Sequence, residues 1–492
     1  MPPTRLKLKL LLRLQRIFND RKVHFFELCE RLPASGKVNS RPIKFKAICN
    51  MVENNRDRPD NRHFAGRRRL MAGLAVLVAG GGTSFAVSST AQSTVRDTVS
   101  TLDYGADNTG AIDCTRAFQN AIIAGNVTFP AGIYKMSWSA IRADVLIPRN
   151  RKIVVERGAT ITNTGGRFTA ENVDNVEWQI DGWVRSVAMR AAPSKPLWTS
   201  SPHERGFIEF ADIYTRGQAA SGFRVYGTGK VSGDWSGTPN VSNLNAQINR
   251  KGIACWNAKN VLVSGLEIFG FNGEAVYASF FDRASHNIVF ENVTVHDTRF
   301  NALNFNAGAN SGGCKIVRNK VRNAYSLEAS AGEISDNMID NMVYCGIWTG
   351  AGAGAGPLNI RRNNISRSGL HGIAAVFASA TPVAGVTIED NTVTASAQYS
   401  IYTDFVREFF ISGNKCIGSG SGAGAYDIGL NHALRGSVRE NTFMSPGPYA
   451  QRSRIAVDYT NCFDVSVDSQ SNVFIPRHPT QHSLPLPGVI GR

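Results

Sequence analysis

Short apolar runs recur through the C-terminal half of the chain in one fixed order: an apolar residue, two variable residues, an asparagine, one variable residue, then an apolar or sulfur-bearing residue. The order is met at 316–321 (IVRNKV), 334–339 (ISDNMI), 360–365 (IRRNNI), 388–393 (IEDNTV), 411–416 (ISGNKC) and 438–443 (VRENTF), with 290–295 (FENVTV) one place out of step. The asparagines Asn292, Asn319, Asn337, Asn363, Asn391, Asn414 and Asn441 stand about 25 residues apart, a period that signals a stack of similar coils. Between them a second apolar series keeps the same beat, at Val276, Leu303, Leu327, Ile347, Ile373, Ile401 and Ile428. Each repeat therefore holds at least two short runs alternating with period two, and no window suits an amphipathic helix. The pattern predicts an all-β solenoid, a single-stranded parallel β-helix. A turn repeated in every coil lets each asparagine amide donate to one neighbour and accept from the other. A leucine-rich repeat, the rival solenoid, would need a Leu-x-x-Leu-x-Leu run and a return helix, and both are missing.

Closer to the N-terminus, Asp113 is placed to cap a short helix over 113–124 (DCTRAFQNAIIA) whose Ala117, Phe118, Ala121 and Ile122 share a face and which Gly125 ends. Such a helix closes the open end of a solenoid and protects its sheet edge. The stretch from Tyr104-Gly105-Ala106 through this helix to Phe129-Pro130-Ala131-Gly132-Ile133-Tyr134 resembles the opening of the pectate-lyase superfamily of right-handed parallel β-helix proteins. Segments 223–233 (FRVYGTGKVSG) and 252–271 resemble the middle of its polygalacturonase branch. The resemblance covers roughly residues 101–446. It implies an exported protein acting on a polysaccharide, an acidic one by the habit of the family. The branch's catalytic aspartate patterns are not matched: 300–306 (FNALNFN) carries no acid, and neither an Asp-Asp pair nor Gly-His-Gly occurs. Calcium is what the resemblance implies for lyases of this type, but no Asp cluster demands it and no cofactor or metal ligand is predicted.

Composition changes the picture in one respect. The net charge of +16 invites a nucleic-acid reading, yet residues 1–70 hold 18 Lys and Arg against 6 Asp and Glu, which leaves the remainder near neutral. No nucleic-acid partner is predicted. The leader ends in Arg67-Arg68-Arg69 followed by an apolar, glycine-rich stretch over 71–86, which resembles a twin-arginine export signal and implies a periplasmic or secreted protein handled by export machinery. Residues 1–50 read either as an upstream extension, with Met51 the ordinary start, or as a basic arm. The expected organisation is thus 1–50 extension, 51–93 signal, 94–475 β-helix and 476–492 a Pro-rich tail. Six of the eight cysteines fall in the solenoid, match no zinc motif and suit small buried positions.

Candidate chemistry follows from the coil register. After the second apolar position stand His296-Asp297, Arg322-Asn323, Asp340-Asn341 and Ser366-Arg367. Asp297 and Asp340, two coils apart, would lie about 10 Å from each other, near the carboxylate separation of inverting glycosidases. Arg322 and Arg367 are the expected uronate ligands, and His371 is the candidate general base. The bland alternatives are a surface ladder of compensating charges and a histidine in a turn. On the second strand the series Tyr277, Asn304, Glu328, Trp348, Ala374 and Tyr402, with Asp404 two places on and Tyr325 from the same segment as Glu328, mixes aromatics with acids and amides as sugar recognition requires. Glu328 and Asp404 are too far apart to act as a pair. The function predicted is glycosidic-bond hydrolysis or β-elimination; a non-catalytic glycan-binding or envelope protein and a polysaccharide epimerase are the competing readings.

Overall fold

The computed structural model describes residues 98–136, 144–164, 167–187, 206–211, 221–239, 251–256, 258–279, 287–306, 313–350, 357–377, 382–420, 426–445, 455–458 and 461–476. The leader, where the export signal is expected, and the Pro-rich tail beyond residue 476 lie outside the described residues. The chain winds as the expected parallel β-helix. One ladder is a separate sheet of fourteen strands, and two further ladders join into a sheet of twenty-six. Among the described residues every pairing is parallel, and strands inside the stack bond the strand one coil before and one coil after them.

The helix over Thr115–Ala124, α1, buries Ala117, Phe118, Ala121 and Ile122. Phe118 meets Phe129 edge-on with centroids 4.8 Å apart and reaches Tyr134 and Phe168, so the helix plugs the first coils of the column. Its cap differs slightly from expectation. Cys114 occupies the cap position without a side-chain bond. The Asp113 carboxylate instead accepts from the backbone N–H and hydroxyl of Thr115, at 3.0 and 2.6 Å. All six cysteines of the solenoid are buried.

The asparagine ladder is present and wholly buried. Each Nδ2 donates both to the next asparagine's Oδ1 and to a strand carbonyl one coil back: Asn363, for example, donates to Asn391 Oδ1 and Ile334 O, both at 2.9 Å, and accepts from Asn337. Successive members are 18 to 31 residues apart, because the intervening loops vary while the rungs do not. Two sequence expectations are corrected. Asn292 does not join the ladder: it is exposed, with left-handed backbone (φ 55°), and Val293 takes the rung, its N–H donating to Asn319 Oδ1. The out-of-step motif puts the asparagine on the turn rather than inside it. Asn472, outside the repeats recognised from sequence, ends the ladder by accepting from Asn441. From Asn319 to Asn441 the residue before each ladder asparagine is left-handed, as at Arg318, Asp336, Arg362, Asp390 and Glu440. At Gly413 the same left-handed turn is taken by glycine, and a Cβ there would press on the Asp390 carboxylate.

Asn363→Ala should lower stability by about 3 kcal/mol or more, since it leaves buried donors and acceptors of both neighbours unpaired. Arg362→Ala, which removes a largely exposed pair with Asp336, should cost less than about 1 kcal/mol. Guanidinium unfolding of the two variants measures the difference.

Candidate functional site

Eight strands of one ladder carry the site: β1 (Lys251–Trp256), β2 (Val276–Ser279), β3 (Leu303–Asn306), β4 (Leu327–Ala329), β5 (Ile347–Thr349), β6 (Ile373–Val376), β7 (Ile401–Arg407) and β8 (Ile428–Arg439). Leu327 and Ala329 point into the core, so Glu328 between them faces outward. Its column follows the register expected from sequence: Tyr277, Asn304, Glu328, Trp348, Ala374 and Tyr402 are successive partners. Glu328 Oε2 accepts from Asn304 Nδ2 at 3.0 Å and from Asn301 Nδ2 in a very short bond. Burial, reinforced by the charge of Glu274 and opposed by the Asn301 bond, pushes the Glu328 carboxyl up to about 7.

Beside it lies a buried ion pair that sequence reading missed. Lys251 Nζ is 2.9 Å from Glu274 Oε2, both side chains almost wholly shielded, and the ammonium sits 4.4 Å from the centre of the Tyr277 ring. Arg299, also buried, donates to Asn272 Oδ1 at 3.1 Å. The signal was available: Glu274, Asn301, Tyr325, His371, Tyr399 and Tyr426 stand two places before members of the second apolar series, and Lys251 two before Ile253, the partner of Val276 in the preceding coil. That offset precedes the alternating run, where strand periodicity says nothing about direction. At Gly350 an added Cβ would lie 2.8 Å from Glu328 Oε1 and 2.7 Å from Trp348 Nε1, so glycine keeps the space beside both groups open.

Aromatic rings flank the carboxyl. Phe300, Tyr325 and Tyr344 stack at 5.5 and 4.9 Å, and Tyr344 leans on Trp348 at 5.3 Å. Further along, His371 lies against Tyr399 and Tyr402, and Tyr399 against Tyr426. Burial lowers His371 to about 4, so its imidazole is uncharged at neutral pH, and its Nδ1 accepts from the Tyr399 N–H. Asp404 holds His432 Nδ1 at 2.9 Å, one coil beyond Tyr402's neighbours.

The other sequence candidates are on a different ladder. Arg322 and Asp340 belong to the fourteen-stranded sheet, in the column His296, Arg322, Asp340, Ser366. Asp297 and Arg367 are not in that column. They occupy the next one, the left-handed corner of each coil (φ 53° and 54°), where Asn323 and Asn341 also stand. The expected stack of Asp297 over Asp340 with Arg322 between them is therefore corrected: carboxylates and arginines alternate between two columns. Arg367 grips Asp340 with two guanidinium nitrogens and Ser366 adds a hydroxyl. Burial pushes Asp340 up, but these bonds outweigh it and hold the carboxyl below its usual range. Asp297 is likewise held down, against burial, by His296 and Asn323. The ten candidate residues thus fall into two groups. Tyr325, Glu328, Trp348, His371, Tyr402 and Asp404 share one ladder, whereas Asp297, Arg322, Asp340 and Arg367 share another. Among the described residues no three His, Cys, Asp or Glu side chains come together as metal ligands.

Residues 308–473 match the family model described as periplasmic copper-binding protein (NosD). A search of curated protein sequences finds no match. Among solved structures the chain resembles the catalytic unit of the GH87 alpha-1,3-glucanase of Streptomyces thermodiastaticus, at 16% identity and TM-score 0.52, with 80% of this chain and 70% of that one covered. It also resembles the pre-mature gene product 12 of bacteriophage phi29, at 13% identity and TM-score 0.50, covering 78% of this chain and 57% of that one. At these identities the likeness establishes the β-helix fold alone.

The Glu328 shift makes stability depend on pH. The folded state keeps this proton to about pH 7, whereas the unfolded chain releases it near the ordinary value of 4.5. Its contribution is complete below about pH 4.5 and lost as pH rises through about 7, on the order of 3 kcal/mol in all. Unfolding free energies at about pH 5 and pH 8 should fall more for the wild type than for Glu328→Gln; equal falls would show that the carboxyl is not held protonated.

Proposed function

We propose that the protein cleaves a polysaccharide laid along the outward face of β1–β8, with Glu328 as the proton donor to the glycosidic oxygen. One observation carries this reading: a carboxyl kept protonatable near neutral pH, beside a second carboxylate and rows of stacked aromatic rings. An uncharged acid suits protonation of a leaving group, and two carboxyl groups with environments that differ this much are the pattern of acid/base glycoside hydrolysis. β-Elimination needs a base near the substrate carboxylate, and Glu328 in its acid form is not one, so hydrolysis is the favoured reaction. Tyr325, Tyr344 and Trp348 would bind sugar rings on their faces. The glucanase activity named for the structural neighbour agrees with the substrate class without specifying it. The described donor set does not fit the copper of the matching family description. Asp297, Arg322, Asp340 and Arg367, whose acceptors and donors largely satisfy one another, serve in this reading as a ladder of compensating charges.

The arginine-led apolar leader, together with the periplasmic family description, supports export. N-terminal sequencing of protein recovered from the periplasm should give a start near residues 84–92; a start at Met1 or Met51 would refute processing.

For the full-length protein, Glu328→Gln should lower kcat by about 10²–10⁴-fold on a polysaccharide that the wild type cleaves. Asp340→Asn should change it less than about tenfold. Activity should fall as pH rises through about 7, where Glu328 loses its proton. Reducing-end release across a panel of neutral and acidic polysaccharides measures all three, and no release from any member would sink the proposal.

A further inference from the structure

Glu328 has one oxygen committed and one open. Oε2 accepts from the amides of both Asn301 and Asn304. Two donors fill the lone pairs of a carbonyl oxygen, so the proton of the acid form sits on Oε1. Among the described residues Oε1 has no hydrogen-bond partner, and it keeps some exposed surface. The same holds for the indole N–H of Trp348, the partner of Glu328 on the next coil. Tyr344, tilted against Trp348 with centroids 5.3 Å apart, holds the indole in place. Trp348 Nε1 and Glu328 Oε1 lie 2.7 and 2.8 Å from the point where a β-carbon on Gly350 would stand. Two atoms that close to a third point can both reach one oxygen atom at ordinary hydrogen-bond distances. The gap beside Gly350 is thus lined by two donors, an acid O–H and an indole N–H, that nothing in the described protein engages. The backbone of Gly350 is not left-handed, so a larger residue would be opposed there by contact and not by strain.

We infer that the scissile glycosidic oxygen seats in the gap beside Gly350, and that the Trp348 indole N–H is a second catalytic donor to it, alongside the acid O–H of Glu328. The inference rests on the proposed hydrolytic role of this face. As the bond from the anomeric carbon to that oxygen breaks, its electron pair stays on the oxygen, which takes the Oε1 proton and leaves as a hydroxyl. Water gives its hydroxyl to the anomeric carbon and its other proton to solvent, from which Glu328 is reprotonated. The indole transfers no proton. It stabilises the negative charge that gathers on the leaving oxygen before the Glu328 proton arrives, as a preorganised donor in a site fixed beforehand by the coil register. Gly350 keeps the seat open: a β-carbon would press on both donors, and Glu328 cannot swing aside while Asn301 and Asn304 hold Oε2.

The test separates a donor from a stacking ring. In the full-length protein Trp348→Phe keeps a flat ring and removes only the N–H. On a polysaccharide that the wild type cleaves it should lower kcat by about tenfold or more and change KM less than about threefold. Gly350→Ala should lower kcat by at least as much. A dinitrophenyl glycoside of the same sugar repeat, whose phenolate leaves without a proton, supplies the control: on it the losses of Trp348→Phe and Glu328→Gln should both shrink to less than about threefold. A variant that is merely misfolded or less stable loses equally on the two substrates. Wild-type kcat for Trp348→Phe, a rise in KM alone, or an equal loss on both substrates overturns the inference and leaves the cleavage reading standing. If Trp348→Phe melts at a lower temperature than the wild type, Gly350→Ala decides by the same comparison, and unchanged turnover there overturns the inference. A wild type that releases no reducing ends from any polysaccharide removes the cleavage reading and the inference with it.

Discussion

Alignment of one coil on the next rests on the amide ladder from Asn319 to Asn472. In each rung a single side chain donates to the next amide and to a strand carbonyl, and accepts in return from the backbone N–H and the amide of its predecessor. A strand that slipped by one residue would turn its whole apolar set outward, and it would also break these bonds inside the column, where water cannot replace them. Because register is fixed in this way, residues separated by 18 to 31 positions become stable neighbours. Glu328 can meet Asn301 and Asn304 of the preceding coil only under that constraint.

The two outward faces put charge to different uses. On the fourteen-stranded sheet and its corners, acids and bases satisfy each other locally: Asp340 with Arg367, Asp297 with His296 and Asn323, Glu267 with Lys230 and His296. Such half-exposed pairs are worth little individually, and they prevent stacked like charges from repelling. On the β1–β8 face the charges are fewer and deeper. There desolvation does most to raise the Glu328 carboxyl, and the charge of Glu274, shielded from water together with Lys251, adds to it with little screening. Under the proposed function reactivity belongs to the second arrangement, because a group whose partners already hold it has no proton to exchange near neutral pH.

The aromatic rows complete that face. Stacked rings on successive coils repeat at close to the strand spacing, which makes a ribbon of flat apolar surface parallel to the column. Gly350 and Gly429 keep space beside it: a Cβ at Gly429 would press on the rings of Tyr399 and Tyr402 at 2.7 to 3.0 Å.

Much of this was legible in the sequence. The period of the Asn motif and of the second apolar series determined the parallel β-helix and the column Tyr277–Asn304–Glu328–Trp348–Ala374–Tyr402, because columns in a solenoid follow from counting residues between rungs, and the helix that plugs it was legible in its own apolar face of Ala117, Phe118, Ala121 and Ile122. The same counting failed at Asn292, which comes one place early and so falls on the turn instead of the interior, and at Asn472, whose surroundings lack the repeated apolar frame. It also could not separate Asp297 from Asp340, since a left-handed corner residue and a strand residue are adjacent in sequence yet belong to different columns. Only the folded column decided which acid is perturbed. Desolvation and the field of Glu274 depend on what lies across several columns at once, and no one-dimensional pattern records how deeply a side chain is buried or which charges share its low-dielectric surroundings.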